Sequence, residues 1–321
     1  MQHLFLALAL LLPVEHDFVV RDFHFKSGET MDVQIHYVTV GDPKGQPVLV
    51  LHGTGGSSKQ FLNDHFAGVL FAEGGALDAR THFIVIPDNV GHGQSSKPSD
   101  GLRGRFPHYD YDDMVELQHR LLVDGLHLDH VHLVMGTSMG GMQTWMWGER
   151  WPQFMDALLP LASAPVQIAG RNRIWRKMAI DDLKRGDVAG AVQLLMIATS
   201  SPLQWQKSGP TRDDADRWLA EQMKTRLAST DADDLLYALE ASRNYDPSPE
   251  LEKIAAPLIA VNSADDFVNP PELGILEREI QRVKRGRYVL IPTSDATRGH
   301  GTHTWAALWQ QYVRELDTRP R

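Results

Sequence analysis

Residues 134–142, VMGTSMGGM, constrain this chain more than any other stretch. An apolar strand-like run, HLVM, leads through Gly136-Thr137-Ser138-Met139-Gly140 into a helix-like segment. This is G-x-S-x-G in a strand–turn–helix setting. A serine on so tight a turn has a strained backbone, and residues two before and two after it must be nearly free of side chain. Gly136 and Gly140 meet that need, and Gly141 lets the following helix pack closely. The turn holds a hydroxyl at the top of a sheet, where it can attack a carbonyl.

The surrounding pattern supplies the sheet. Residues 18–25 and 31–40 read as two strands around the turn Lys26-Ser27-Gly28, an antiparallel start. PVLVL (47–51), HFIVIP (82–87), the run at 131–135, part of 154–161, PLIAVN (257–262) and RYVLIP (287–292) are short and apolar. Such runs suit strands buried on both faces. Helices are predicted between them at 59–71, 111–126, 139–150, 272–283 and 302–316. The alternation predicts a mostly parallel sheet with helices on both faces. It pauses over about 164–250, where the patterns at 174–183, 188–197, 212–227 and 231–241 are helical. The expected organisation is a core of residues 17–163 and 251–321, interrupted by a helical cap at 164–250.

Composition removes several alternatives. The chain has no cysteine, which excludes disulfides, thiol catalysis and cysteine-ligated metal. Its formal charge is −9 and no basic stripe appears, so nucleic acid is not an expected partner. His16 with Asp17, and Asp110, Asp112 and Asp113, lack zinc-ligand spacing. No metal and no cofactor are expected. The apolar run at 4–14 is too short for a stable membrane span but fits a secretory signal in length. Its flanks are poor for one, since no Lys or Arg precedes it. Export follows if it is a signal, a cytoplasmic location otherwise. Oligomeric state is not encoded legibly, and a homodimer is left open.

A serine nucleophile needs a base, and the base needs a carboxylate to orient it. In this topology the order is serine, acid, histidine, on loops at the carboxyl ends of strands. The strand PLIAVN runs into SADDFVNP, so Asp266 is the expected acid and Asp265 the alternative. The last strand runs into a loop carrying RGHGTH, so His300 is the expected base and His303 the alternative. The developing oxyanion needs two backbone N–H groups. Met139 follows the nucleophile, and Thr54 lies in HGTGGS after PVLVL. The loop DNVGHGQSSKP (88–98) reads as a shaper of the pocket. Trp145, Trp147 and Trp151 read as packing. Arg171, Arg173, Arg176 and Lys177 read as a solvated face from which one arginine could take a substrate carboxylate.

With these residues in place, the chain resembles the α/β-hydrolase superfamily and, within it, the homoserine O-acetyltransferase-like group. The resemblance runs from about Asp17 through LHGTGG, DNVGHGQSSKP, GTSMGGMQ, WGERWP, SRNYDPSPELEKIAAP, SADDFVNPPEL and GHGTHT. It implies the α/β-hydrolase fold and matches Ser138, Asp266 and His300 to nucleophile, acid and base. DNVGHGQSSKPSDG departs from the transferases and is closer to the D-x-x-G-x-G-x-S loop of hydrolases. The expectation is a serine hydrolase cleaving a small-molecule ester or related acyl bond. The alternative is an O-acyltransferase using acyl-CoA and an alcohol acceptor.

Overall fold

The computed structural model describes residues 12–317. The predicted signal run falls almost wholly outside them. Eight strands form one sheet: β1 (Val14–His24), β2 (Thr30–Gly41), β3 (Gln46–Leu51), β4 (His82–Pro87), β5 (Val131–Thr137), β6 (Met155–Leu161), β7 (Leu258–Ser263) and β8 (Gly286–Ile291). Their order is β1-β2-β4-β3-β5-β6-β7-β8. β2 pairs antiparallel with β1 and β4, and every other pairing is parallel.

The apolar runs of β3 to β7 are continuous because both faces are covered; β8, at the edge, is only partly buried. Side chains alternate along each strand. Leu49, Leu51, Val134 and Leu258 point to one face, against Met114, Leu117, Trp145 and Trp147. Val48, Val50, Leu133, Met135 and Val261 point to the other, against Phe61, Phe66, Phe71 and Trp309. Register then fixes where the loops emerge. Leu51 stands opposite Gly136, Thr137 opposite Leu161, and Ser263 opposite Ile291. The parallel strands β3, β5, β6, β7 and β8 therefore end on one rim.

The helices are α1 (Ala67–Leu70), α2 (Tyr111–Arg120), α3 (Met139–Arg150), α4 (Gly170–Lys184), α5 (Val188–Ala198), α6 (Pro202–Ser208), α7 (Arg212–Ser229), α8 (Ala232–Glu240), α9 (Ile275–Glu279) and α10 (Gln310–Asp317). Helices α4 to α8 fall between β6 and β7, where no strand was predicted. They share a small core of Ala179, Ile180, Leu183, Ala191, Leu235 and Leu239. Asp187, Thr211 and Asp231 cap α5, α7 and α8 through their side-chain oxygens. No helix among the described residues is long and apolar enough to cross a membrane.

Three predicted helices are shorter than expected. Over 59–71 only α1 and a 3₁₀ turn, Ser58–Phe61, form. Asn63 explains the break, because its Oδ1 accepts the N–H groups of His65 and Phe66, and a side chain thus replaces a helical carbonyl. Over 272–283 the left-handed Gly274 separates a 3₁₀ turn from α9. Over 302–316 two 3₁₀ turns precede α10, where Trp305 and Trp309 leave helical geometry and Trp309 enters the core.

Candidate active site on the carboxyl rim of the sheet

Ser138 sits between β5 and α3 with φ 55° and ψ −113°, a strained conformation for a non-glycine residue. The surroundings hold it there. Its N–H donates to the Leu161 carbonyl oxygen at 2.9 Å, and its carbonyl accepts the Met142 N–H at 2.9 Å. A Cβ on Gly136 would lie 2.1 Å from the Gly140 carbonyl oxygen, and one on Gly140 2.1 Å from that of Leu51. Neither position admits a side chain without moving backbone.

His300 and Asp266 meet this hydroxyl from the far end of the chain. The Ser138 hydroxyl lies 2.8 Å from Nε2 of His300. Nδ1 of the same ring lies 3.0 Å from each carboxylate oxygen of Asp266. A carboxylate only accepts, so Nδ1 carries the proton and Nε2 is free to accept from the serine. Asp266 is 1% exposed. Burial opposes its ionisation, but the electrostatic interaction and hydrogen bond with His300 and the N–H groups of Val268 and Asn269 outweigh burial and hold the carboxyl below its usual range. Asn269 Nδ2 donates to Asp266 Oδ2 at 3.3 Å and to the Ala162 carbonyl at 2.8 Å, an orienting role with no sequence signal.

The alternative residues take other places. Asp265 makes no hydrogen bond to His300; it holds neighbouring loops. His303 packs edge-on against the His300 ring, centroids 5.1 Å apart, with Nδ1 buried and unpartnered. Burial, and then the adjacent His300, push its pKa down to about 3, so it stays neutral. The structure gives the serine hydroxyl to His300, not to His303.

Met139 opens α3, so its N–H has no intrahelical acceptor. Thr54 lies on the loop after β3, whose Gly53 approaches the Ser138 side chain. His52 pins that loop. Its Nδ1–H donates to the Gly53 carbonyl at 2.8 Å, and its Nε2 accepts the Asn89 N–H at 3.0 Å. Burial keeps this ring neutral. Asp88 holds the predicted shaping loop by accepting the N–H groups of Ser58 (2.5 Å) and Gln94 (2.8 Å). His92 bonds the Val90 carbonyl at 3.1 Å within it. Trp145 and Trp147 are fully buried, and Trp151 stacks on His119, as packing residues do.

Of the basic cluster, Arg176 is not solvated; it is 2% exposed. Its guanidinium donates to Asn172 Oδ1 at 2.9 Å, reaches Ser242 Oγ at 3.5 Å and lies over the Trp175 ring. Among the described residues no carboxylate pairs with it, and burial lowers its pKa from the ordinary value. The Tyr111 hydroxyl faces both Arg176 and Thr54 closely enough to feel them. It closes no hydrogen bond in good geometry, and the Thr54 hydroxyl is likewise unpartnered. A guanidinium with no carboxylate partner and two unpartnered hydroxyls thus stand beside the Thr54 loop. Among the described residues no group of His, Asp or Glu side chains is arranged to hold a metal ion.

Comparison with known proteins gives this geometry its class. Residues 46–295 match the α/β-hydrolase fold family, and the chain belongs to that family. It is 27% identical over 277 residues to homoserine O-acetyltransferase of Pasteurella multocida, covering 74% of this chain and 77% of the relative. It is 27% identical over 302 residues to a probable acyltransferase of Methanothermobacter thermautotrophicus, covering 88% and 91%. In structure it is similar to an acetylester hydrolase from Corynebacterium glutamicum, with a TM-score of 0.83, 18% identity and 95% and 96% of the two chains covered. The relatives of this fold thus include both acyltransferases and esterases.

Proposed function

We propose that the protein is a serine hydrolase that cleaves a carboxylic ester or related acyl bond through an acyl-enzyme on Ser138. One observation carries this reading: the Ser138 hydroxyl 2.8 Å from a His300 nitrogen whose other nitrogen is held by buried Asp266. Ser138 Oγ attacks the carbonyl carbon while His300 Nε2 takes its proton. Asp266 keeps the ring in that tautomer and stabilises the imidazolium. The N–H groups of Met139 and Thr54 receive the oxyanion. The tetrahedral intermediate collapses, the alcohol leaves with the proton from His300, and the acyl group stays on Ser138. Water then attacks as His300 takes one of its protons; the acid departs and Ser138 recovers its hydrogen.

The insertion at 164–250 acts as a cap that selects acyl and alcohol groups. Between it and the rim lies an open crevice of about 500 Å³ lined by Gly55, Gly56, His92, Lys97, Asp231 and Asp234 among others. An open approach to the Thr54 loop supports access by water. The Arg176 guanidinium, which has no carboxylate partner among the described residues, supports with Tyr111 and Thr54 a substrate that carries a carboxylate.

A second reading is favoured by the curated relatives named as acyltransferases: the same acyl-enzyme is intercepted by an alcohol instead of water. Assays with p-nitrophenyl acetate alone, and with acetyl-CoA plus L-homoserine, separate the two. The hydrolase reading expects free acetate as the main product in both. O-acetylhomoserine formed faster than free acetate would replace it with the transferase.

A further inference from the structure

Asp265, one residue before the acid, gathers three separate stretches of chain. Its Oδ1 accepts the Ser263 hydroxyl at the end of β7. Its Oδ2 accepts the Thr297 hydroxyl at 2.9 Å, the Gly299 N–H at 2.9 Å and the Ser201 hydroxyl at 3.3 Å. Thr297 and Gly299 belong to the loop that ends in His300. Ser201 belongs to the corner between α5 and α6 of the helical insertion.

That corner also touches the base loop directly. Gly299 has φ +60°, and a Cβ on it would lie 2.3 Å from the Ser200 carbonyl oxygen. Three residues after Ser201, on α6, Gln204 Nε2 donates to the carbonyls of Asp295 (3.1 Å) and Thr297 (2.9 Å). The residue preceding His300 is thus wedged between the insertion and the Asp265 carboxylate. The loop at 293–299 forms no helix or strand; a turn between Ser294 and Thr297 and the Asp265 carboxylate hold it.

We infer that Asp265 is a positioning residue that makes the aim of His300 depend on the seating of the helical insertion. This rests on the assignment of Ser138 and His300 as nucleophile and base. With the α5–α6 corner seated, Gly299 is clamped and Nε2 faces Ser138. When the corner lifts, Ser201 leaves Oδ2, Gly299 loses its backing, and the ring loses its aim. Chemistry then proceeds efficiently only beneath a seated insertion. An error of about 1 Å in a reacting group costs on the order of 100-fold in rate, so a modest loosening is enough.

The test compares the wild type with Asp265→Ala, Asp265→Asn, Ser201→Ala and the Asp265→Ala/Ser201→Ala pair. The readouts are kcat and KM on p-nitrophenyl acetate, fluorophosphonate labelling rate, the pH profile of kcat/KM, and Tm. Asp265→Ala is expected to lower kcat and labelling about 30- to 100-fold with KM nearly unchanged, the size of a positional loss. Its acidic limb moves to lower pH as the His300–Asp266 contact loosens. Asp265→Asn, which still accepts at one oxygen, restores most of the rate. Ser201→Ala lowers kcat about 3- to 10-fold at unchanged Tm, and adding it to Asp265→Ala causes little further loss, the non-additivity of a shared contact. A folded Asp265→Ala with wild-type kcat and pH profile overturns the inference. Should that variant fail to fold, a Ser201→Ala enzyme with wild-type kcat overturns it instead. Hydrolysis surviving in Ser138→Ala would remove the functional reading itself, a separate outcome.

Discussion

Helix α3, behind the nucleophile, buries ten of its twelve residues, whereas helix α7 of the insertion is eighteen residues long and buries none. The sheet is packed on both faces by two large apolar clusters. The insertion has one small cluster of its own, reaches the sheet cluster through Tyr237, Ala241 and Tyr245, and adds polar ties. Ser99 donates to the Asp234 carboxylate at 2.6 Å and 2.8 Å, and Tyr237 to the Phe106 carbonyl at 2.8 Å. Ser201 joins it to Asp265. The difference separates two tasks. A rigid rim holds Ser138 at strained dihedrals, and, under the proposed function, the less buried insertion adapts to what enters. Elements with few buried contacts open locally at low cost.

Substitutions that attack the rim without disturbing its packing give the largest effects. His300→Ala is expected to lower kcat/KM on an ester at least about 10³-fold while leaving Tm within a few degrees, read by steady-state kinetics and a thermal melt. A loss below tenfold would mean that this ring does not carry the proton.

Packing is probed by a matched pair. Leu49→Ala, at a fully buried position of β3, should cost about 3–4 kcal/mol in urea unfolding. Leu219→Ala, on half-exposed α7, should cost under about 0.5 kcal/mol. Equal costs would erase the contrast between the two regions.

Arg176 lies where they meet. Arg176→Leu should raise KM about 10- to 100-fold for an ester bearing a carboxylate and leave a neutral ester nearly unaffected, the loss of one charge-assisted contact. Equal effects on both esters would reduce Arg176 to a structural role.

The smallest effect tests the back of α3. Burial first, then the Glu250 charge, raise the pKa of Glu149 to about 8. Its folded pKa is above the unfolded one, so its contribution is fully present below about pH 4.5 and is lost as pH rises through about 8. Glu149→Gln has no proton to lose. Relative to wild type it should gain about 1–2 kcal/mol between pH 5 and pH 9, after allowance for partial exposure. A stability difference independent of pH would contradict this.

What was legible in the sequence follows the same division. The β3 to β7 runs were readable because burial on both faces demands unbroken apolar sequence. The elbow was readable because its glycines answer a local steric need. Serine, acid and histidine order pointed to Ser138, Asp266 and His300, and the structure brings these three into one hydrogen-bonded row. Two of the misread parts depend on distant partners. Asp265 could be placed only as an alternative acid, because three of its hydrogen-bond partners, Ser201, Thr297 and Gly299, lie 64, 32 and 34 positions away. Arg176 sat in a cluster that reads as surface, and only folding hides it from water. The break at Asn63 needed knowledge of which backbone groups its amide would meet.

The central claim is that Ser138 is a nucleophile made reactive by His300. Its most direct measurement is intact-mass and peptide mapping after treatment with a fluorophosphonate. The account predicts one adduct per chain, located on Ser138, absent in Ser138→Ala and slowed at least about 10³-fold in His300→Ala. Stoichiometric labelling of another serine, or labelling of Ser138 at the wild-type rate without His300, would contradict it.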